Sequence, residues 1–230
     1  MRENGDVTDS QKIAVSRFAV WSIAAAIAVA GLCYSSWLLQ YVLPLHVDSV
    51  DTYLSELDAE GKPYRQVFDV ADKIVGALLI PASLGGLLVF PRRRLTTVGW
   101  VALLCFGAAT IADALLPLHD CVPGEAGCGN GGLFPQLHQP HALTSTLAVT
   151  SIAVAILAFT LAAFRYRRWR VLREAGAVFL AVGAAATAWM LIADNLPGDY
   201  ALGIAQRIQV GAMSLWLITL GVAVVLEARE

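Results

Sequence analysis

Residues 134–145 read FPQLHQPHALTS and set His138 and His141 three apart across Pro140, where a long apolar run begins. Two imidazoles at that spacing can converge on one metal ion or one proton. Thr144 and Ser145 follow a turn later, where hydroxyls can orient water or act as nucleophiles. A catalytic zinc takes three protein ligands and keeps a fourth position for water. His138 and His141 therefore need an acid from another segment, and Asp72 and Asp113 are the candidates. Such a centre would make an outward-facing metal hydrolase acting on a lipid or envelope headgroup. A metal-free version uses one histidine as base, held by an aspartate, with Ser145 as nucleophile. No G-x-S-x-G or H-E-x-x-H occurs to choose between them.

These residues can meet only if long apolar segments carry them together. The 230 residues are 57% hydrophobic and 15% charged, against about half and about a quarter in soluble domains. Six runs, roughly 18–43, 70–90, 96–116, 141–164, 175–193 and 203–226, approach the ~20 residues a helix needs to cross a bilayer. The pattern predicts an all-α integral membrane protein, a six-transmembrane-helix bundle over 18–226, with short tails at 1–17 and 227–230. The first run exceeds the ~7–15-residue core of a cleaved signal, so it is expected to stay as a span.

Arginine-rich turns at PRRR (91–94) and RYRRWRVLR (165–173) fall on one side of such a bundle. Positive charge marks the cytoplasm, which puts both termini inside and the loops at 44–69, 117–140 and 194–202 outside. A plasma-membrane location follows as an expectation. The expected partners are membrane lipids, anionic ones at the arginine-rich turns; no nucleic-acid partner is expected. Cys33 and Cys105 fall within spans and read as small apolar groups. Cys121 and Cys128 share the turn-rich loop DCVPGEAGCGNGG, where an external disulfide is expected. Leu54 and Leu57 could rest at the interface, and Trp21, Trp37, Tyr41 and Trp100 lie near span ends as interfacial anchors do. Pro63 suits the first turn of the second helix, and Pro81 is a potential kink.

Polar groups inside spans are expensive and tend to face the bundle interior. Helical spacing puts Asp72 on a stripe with Gly76, Leu79, Ser83 and Gly86, and Asp113 on one with Thr110 and Gly107. His141 leads to Thr144, Ser145, Ala148 and Ser151; Asp194 to Met190, Thr187 and Gly183; Arg207 to Gly203, Gly211, Ser214 and Gly221. All five ionisable groups lie near the external ends of their spans, which predicts one outward-opening polar chamber. The alternative is structural: Asp72 or Asp113 locks to Arg207, and Asp194 caps the turn between the last two helices. On that reading the chain is a non-enzymatic accessory or lipid-binding protein. Asp69 and Lys73, four apart, read as a surface ion pair. Haem binding wants histidines on facing helices, and transport wants polar or broken helices at the midplane. All four histidines lie on the external side, and Pro81 is the one plausible break in a midplane of mostly Ala, Val, Leu and Gly, so both readings are disfavoured.

Several short strings occur together: SEL then G-x-P-Y in the first outer loop, F-x-x-A-D-K-x-x-G, A-D-A-L-L-P-L before the two-cysteine loop, H-Q-x-H-x-x-T-S, and A-Q-R opening the last span. As a set they resemble the bacterial six-span membrane family catalogued as domain of unknown function 998, over roughly residues 18–226. The resemblance points to Asp72, Asp113, Cys121, Cys128, His138, His141, Thr144, Ser145 and Arg207. It implies a bacterial plasma-membrane protein and names no activity. In that family's pattern an acid follows P-L directly; here His119 intervenes.

Overall fold

The structure, a computed structural model, describes residues 3–45, 47–118, 140–196, 198 and 200–227. Within them it describes the side chains from Arg17 onward, except those of Asp194 and Asn195. Six helices account for most of these residues: α1 (Glu3–Cys33), α2 (Arg65–Val89), α3 (Arg94–Leu115), α4 (Pro140–Tyr166), α5 (Arg170–Asn195) and α6 (Leu202–Glu227). Each is long and apolar enough to span a bilayer. A 3-10 turn, Ser36–Tyr41, extends α1, and a second, Leu54–Leu57, lies in the α1–α2 connection. Neighbours in sequence are neighbours in space, and α6 closes back onto α1, so the bundle is a ring.

The expected small-residue stripes are what lets the ring close. Gly76, Leu79, Ser83 and Gly86 are all buried on α2. A Cβ at Gly76 would collide with the Gly107 carbonyl of α3, and one at Gly86 with the Trp100 indole, the close approach that small residues give membrane helices. The α5 stripe departs from expectation. Gly183 faces open space, and Thr187 enters the bundle only by accepting a hydrogen bond from Gln209 Nε2 at 2.6 Å.

α1 and α6 run antiparallel, with Gly221 against Ala24 and Gly31 against Ser214, so the start of α1 lies beside the end of α6. At this termini end, Trp100 is only 1% exposed. It stacks on Phe90 at 5.8 Å and meets Phe159 edge-on at 5.0 Å. Its expected role as an interfacial anchor is therefore wrong: close helix approach leaves that side of α3 facing other aromatics rather than lipid. Trp21 and Tyr41, 53% and 62% exposed, keep the exposure an anchor needs.

At the other end the connections knit together, with Glu60 N–H donating to Leu118 O at 3.1 Å and Ile204 N–H to Val50 O at 3.2 Å. Leu57, expected at the interface, is 3% exposed because this loop folds back over the bundle. α2 starts after Tyr64, which adopts a left-handed φ of 61°; Pro63 thus precedes the helix instead of occupying its first turn. The helix runs unbroken through Pro81.

Candidate functional site

Helix α4 begins at Pro140, where a missing N–H costs nothing because the first helical turn has no carbonyl to receive it. His141, Thr144 and Ser145 then fall on the face that packs against the last turn of α3. Asp113 waits there. Its carboxylate accepts a short hydrogen bond from Thr144 Oγ1 and bonds from Ser145 Oγ at 2.8 and 3.0 Å. His141, 7% exposed, brings Nδ1 to 3.3 Å from Asp113 Oδ1 and 3.1 Å from the Leu116 carbonyl. That carbonyl is an acceptor only, so it favours the tautomer with hydrogen on Nδ1. The Nε2 lone pair then faces Ser145 Oγ at 3.4 Å. One carboxylate holds both a hydroxyl and the imidazole beside it.

Asp113 and Ser145 also line a cavity of about 110 Å³, together with Asp72 and Ala148. Tyr34, Trp37, Phe68, Gln206 and Gln209 complete much of the wall, and Leu54, Ser55, Leu57 and Asp58 cover it from the α1–α2 loop. That cover is tied to α6 through Gln206 Oε1, which accepts the Leu54 N–H, and through Asp51, which accepts the Ala201 N–H at 3.0 Å. Asp72 lies on the wall and takes no hydrogen bond from the described residues.

Arg207 does not join this cluster. Its guanidinium donates to Gln40 Oε1 at 2.7 and 3.3 Å, to Thr52 O at 3.1 Å and to Gly203 O at 2.9 Å. The expected lock to Asp72 or Asp113 is thus replaced by neutral acceptors from the end of α1, the loop after it and α6 itself. Arg207 is still structural, but it ties the α1–α2 loop to α6. Asp69 and Lys73 pair as expected, at 2.8 Å. Cys33 and Cys105 are free. His46, His119, Cys121, Cys128 and His138 lie outside the described residues, as does the Asp194 side chain. Among the described residues no three His, Cys, Asp or Glu converge as a metal set.

The residue that sequence reading missed is Asp58. It is 8% exposed, and its Oδ1 has no hydrogen-bond partner. Burial pushes its carboxyl up to about 6 from an ordinary 3.8; the nearby Asp113 pushes the same way, while His141 and Arg65 pull against it. It sits just past a four-residue turn, too short to show any periodicity, so only its place in an acid-rich loop marked it. Tyr34 and Trp37 were equally illegible as wall residues.

A family model described as "Protein of unknown function (DUF998)" matches residues 27–223. No curated protein and no solved structure matches the chain. With most of its length matched, the chain belongs to that family, as a multi-pass membrane protein with six membrane-spanning helices.

Proposed function

From a membership that leaves the chemistry open, we propose that this protein is a membrane-embedded hydrolase acting on an ester in a lipid or envelope headgroup. The polar groups around the cavity form its working chamber, with Ser145 as nucleophile, His141 as general base and Asp113 positioning both. The observation that carries this reading is the continuous Asp113–His141–Ser145 contact beside a cavity that Ser145 lines. Ser145 turns its hydroxyl hydrogen from Asp113 to His141 Nε2 and its Oγ attacks the acyl carbon as that proton transfers; the leaving alcohol takes the proton. Water, deprotonated by the same nitrogen, then releases the acyl group and restores the serine. Asp113 stabilises the imidazolium without being protonated itself. Trp37 Nε1 has no acceptor and belongs to a wall residue, so it offers a donor for the developing oxyanion.

The arginines at 91–94 and 165–173 belong to the termini end, and the positive-inside tendency supports a cytoplasmic placement for it in a plasma membrane. The cavity then serves the outer face. Zinc would need His138 beside His141 and Asp72 or Asp113, whereas the serine arrangement uses only residues already in contact. The closed hydrogen bonding around Asp113 also supports a second reading, a non-enzymatic accessory or lipid-binding protein with a structural polar network.

A fluorophosphonate, which attaches covalently to activated serines, separates these. Purified protein in detergent is expected to be labelled at Ser145, with labelling abolished in Ser145→Ala and reduced at least a hundredfold in His141→Ala. Folded wild-type protein that takes no label overturns the serine mechanism. Stoichiometric zinc that is lost in His138→Ala and His141→Ala would replace it with the metal one.

A further inference from the structure

Among the described residues, the charged groups that line the cavity are all of one sign. Asp58, Asp72 and Asp113 line it, and among the described residues no lysine or arginine does. The nearby basic groups already have partners, one of them a lining acid. His141 is bound to Asp113, Lys73 to Asp69, and Arg207 to Gln40 and two backbone carbonyls. Arg65 gives its Nε to the Asp58 backbone carbonyl at 2.9 Å and not to the carboxylate. A buried carboxylate oxygen without a partner, as at Asp58 Oδ1, calls for a water, an ion or a ligand to complete it. Asp72, half-buried, lines the same cavity and takes no hydrogen bond from the described residues.

The remaining lining narrows the choice. Tyr34, Trp37 and Phe68 present aromatic rings, and Leu54, Leu57, Val149 and Val210 add apolar contact. A metal ion wants converging oxygens or nitrogens, and no such set is formed among the described residues. Carboxylates set among aromatic rings suit a cation that carries carbon, because the rings attract an ammonium through their faces and also bury its methyl or methylene groups. At roughly 10–15 Å³ of such space per water-sized group, the cavity of about 110 Å³ holds several such groups. That is room for a headgroup amine.

We propose that the cavity under the α1–α2 loop binds an organic ammonium group, primary or quaternary, such as a zwitterionic lipid headgroup or a small soluble amine carries. This deepens the hydrolase reading by naming the charge class of its substrate, and it rests on the cavity being the headgroup site. Asp58 and Asp72 supply the counter-charge, and Trp37 with Tyr34 supplies the aromatic contact.

Binding is measured apart from chemistry, by calorimetry on the full chain in phosphatidylglycerol nanodiscs at pH 7.5. Choline is the probe, and 3,3-dimethylbutanol is its neutral isostere. Choline is expected to bind saturably and at least tenfold more tightly than the isostere, and Asp58→Asn or Asp72→Asn should weaken it at least tenfold. Cation binding by the wild-type protein without fluorophosphonate labelling sinks the hydrolase alone. Labelling with no choline preference sinks the ammonium assignment alone. Equal affinity for choline and the isostere in wild-type protein overturns the proposal whether or not the variants fold. Phosphatidylcholine nanodiscs identify the source: if they abolish the soluble choline signal by competition, the ligand is a lipid headgroup; if they do not, it is a soluble amine.

Discussion

The two ends of the bundle bury acids in opposite ways. At the termini end, Glu227 has a side chain only 5% exposed, and both of its oxygens are used. Oε2 accepts the Trp169 backbone N–H at 2.9 Å, and Oε1 pairs with Arg168. Trp169 holds a left-handed φ of 58° there and packs its ring 5.5 Å from Phe90 and 5.7 Å from Phe159. The gap left beside Phe90, Arg168, Trp169 and Glu227 is about 20 Å³. At the cavity end, three carboxylates surround about 110 Å³, with Asp58 Oδ1 unpartnered. The termini end has orphans too, Trp100 Nε1 among them, but a neutral indole N–H costs far less to bury than a carboxylate. One acid closes the fold. At the other end Asp58 faces the open space with an oxygen unpartnered, at a cost in stability.

The largest stability effect is therefore expected at the termini end. Glu227→Ala removes the acceptor from a buried backbone N–H and the partner from a charge. Breaking a buried pair costs about 3–5 kcal/mol. Because Arg168 is 40% exposed and can turn to solvent, the lower figure, about 3 kcal/mol, is expected. Thermal unfolding in detergent should show a clear fall in Tm. An unchanged Tm would erase the contrast between the ends.

Asp58→Asn should move stability the other way. With its carboxyl pushed up to about 6 from 3.8, the folded chain keeps a proton between about pH 4 and 6 that the unfolded chain has released. Stability therefore falls as pH rises through that window, and the full penalty applies above it. A shift of that size corresponds to about 3 kcal/mol. An amide at this position still has to be desolvated, so a gain of about 1–2 kcal/mol at pH 7.5 is expected. Unfolding measured from pH 4 to 7.5 should show the wild type losing stability relative to the variant, with the gap closing near pH 4. A variant less stable than wild type at pH 7.5 would mean that Asp58 is a satisfied structural acid.

The contrast also explains what could be read in advance. Six spans, and the α2 and α4 stripes, follow from periodicity, which is a local property of the chain. Asp113, His141, Thr144 and Ser145 were legible as a group because each occupies a helical register position with a fixed direction. Asp58, Trp37 and the Glu227–Trp169 contact were not, since they depend on how a loop or a left-handed residue returns to the bundle. Arg207 shows the limit most clearly. Its depth matched the acids, yet depth does not say which side of a ring a residue faces, and its partners turned out to be Gln40 and two carbonyls.

The smallest effect tests whether proximity to the cavity end is enough to matter. Asp69 lies one turn from Asp72 on α2, so it shares the segment and the sign of charge. Its partner Lys73 is 40% exposed, however, and the pair is an ordinary i, i+4 bridge at 2.8 Å. Exposed bridges of this kind contribute about 0.3–0.5 kcal/mol. Lys73→Ala should therefore shift stability by no more than about 0.5 kcal/mol and leave choline affinity within twofold. If Lys73 instead supplied the missing counter-charge of the cavity, its loss would tighten choline binding several-fold, because one more acid would be left for the ligand. That outcome would reassign the counter-charge from a ligand to a displaced lysine.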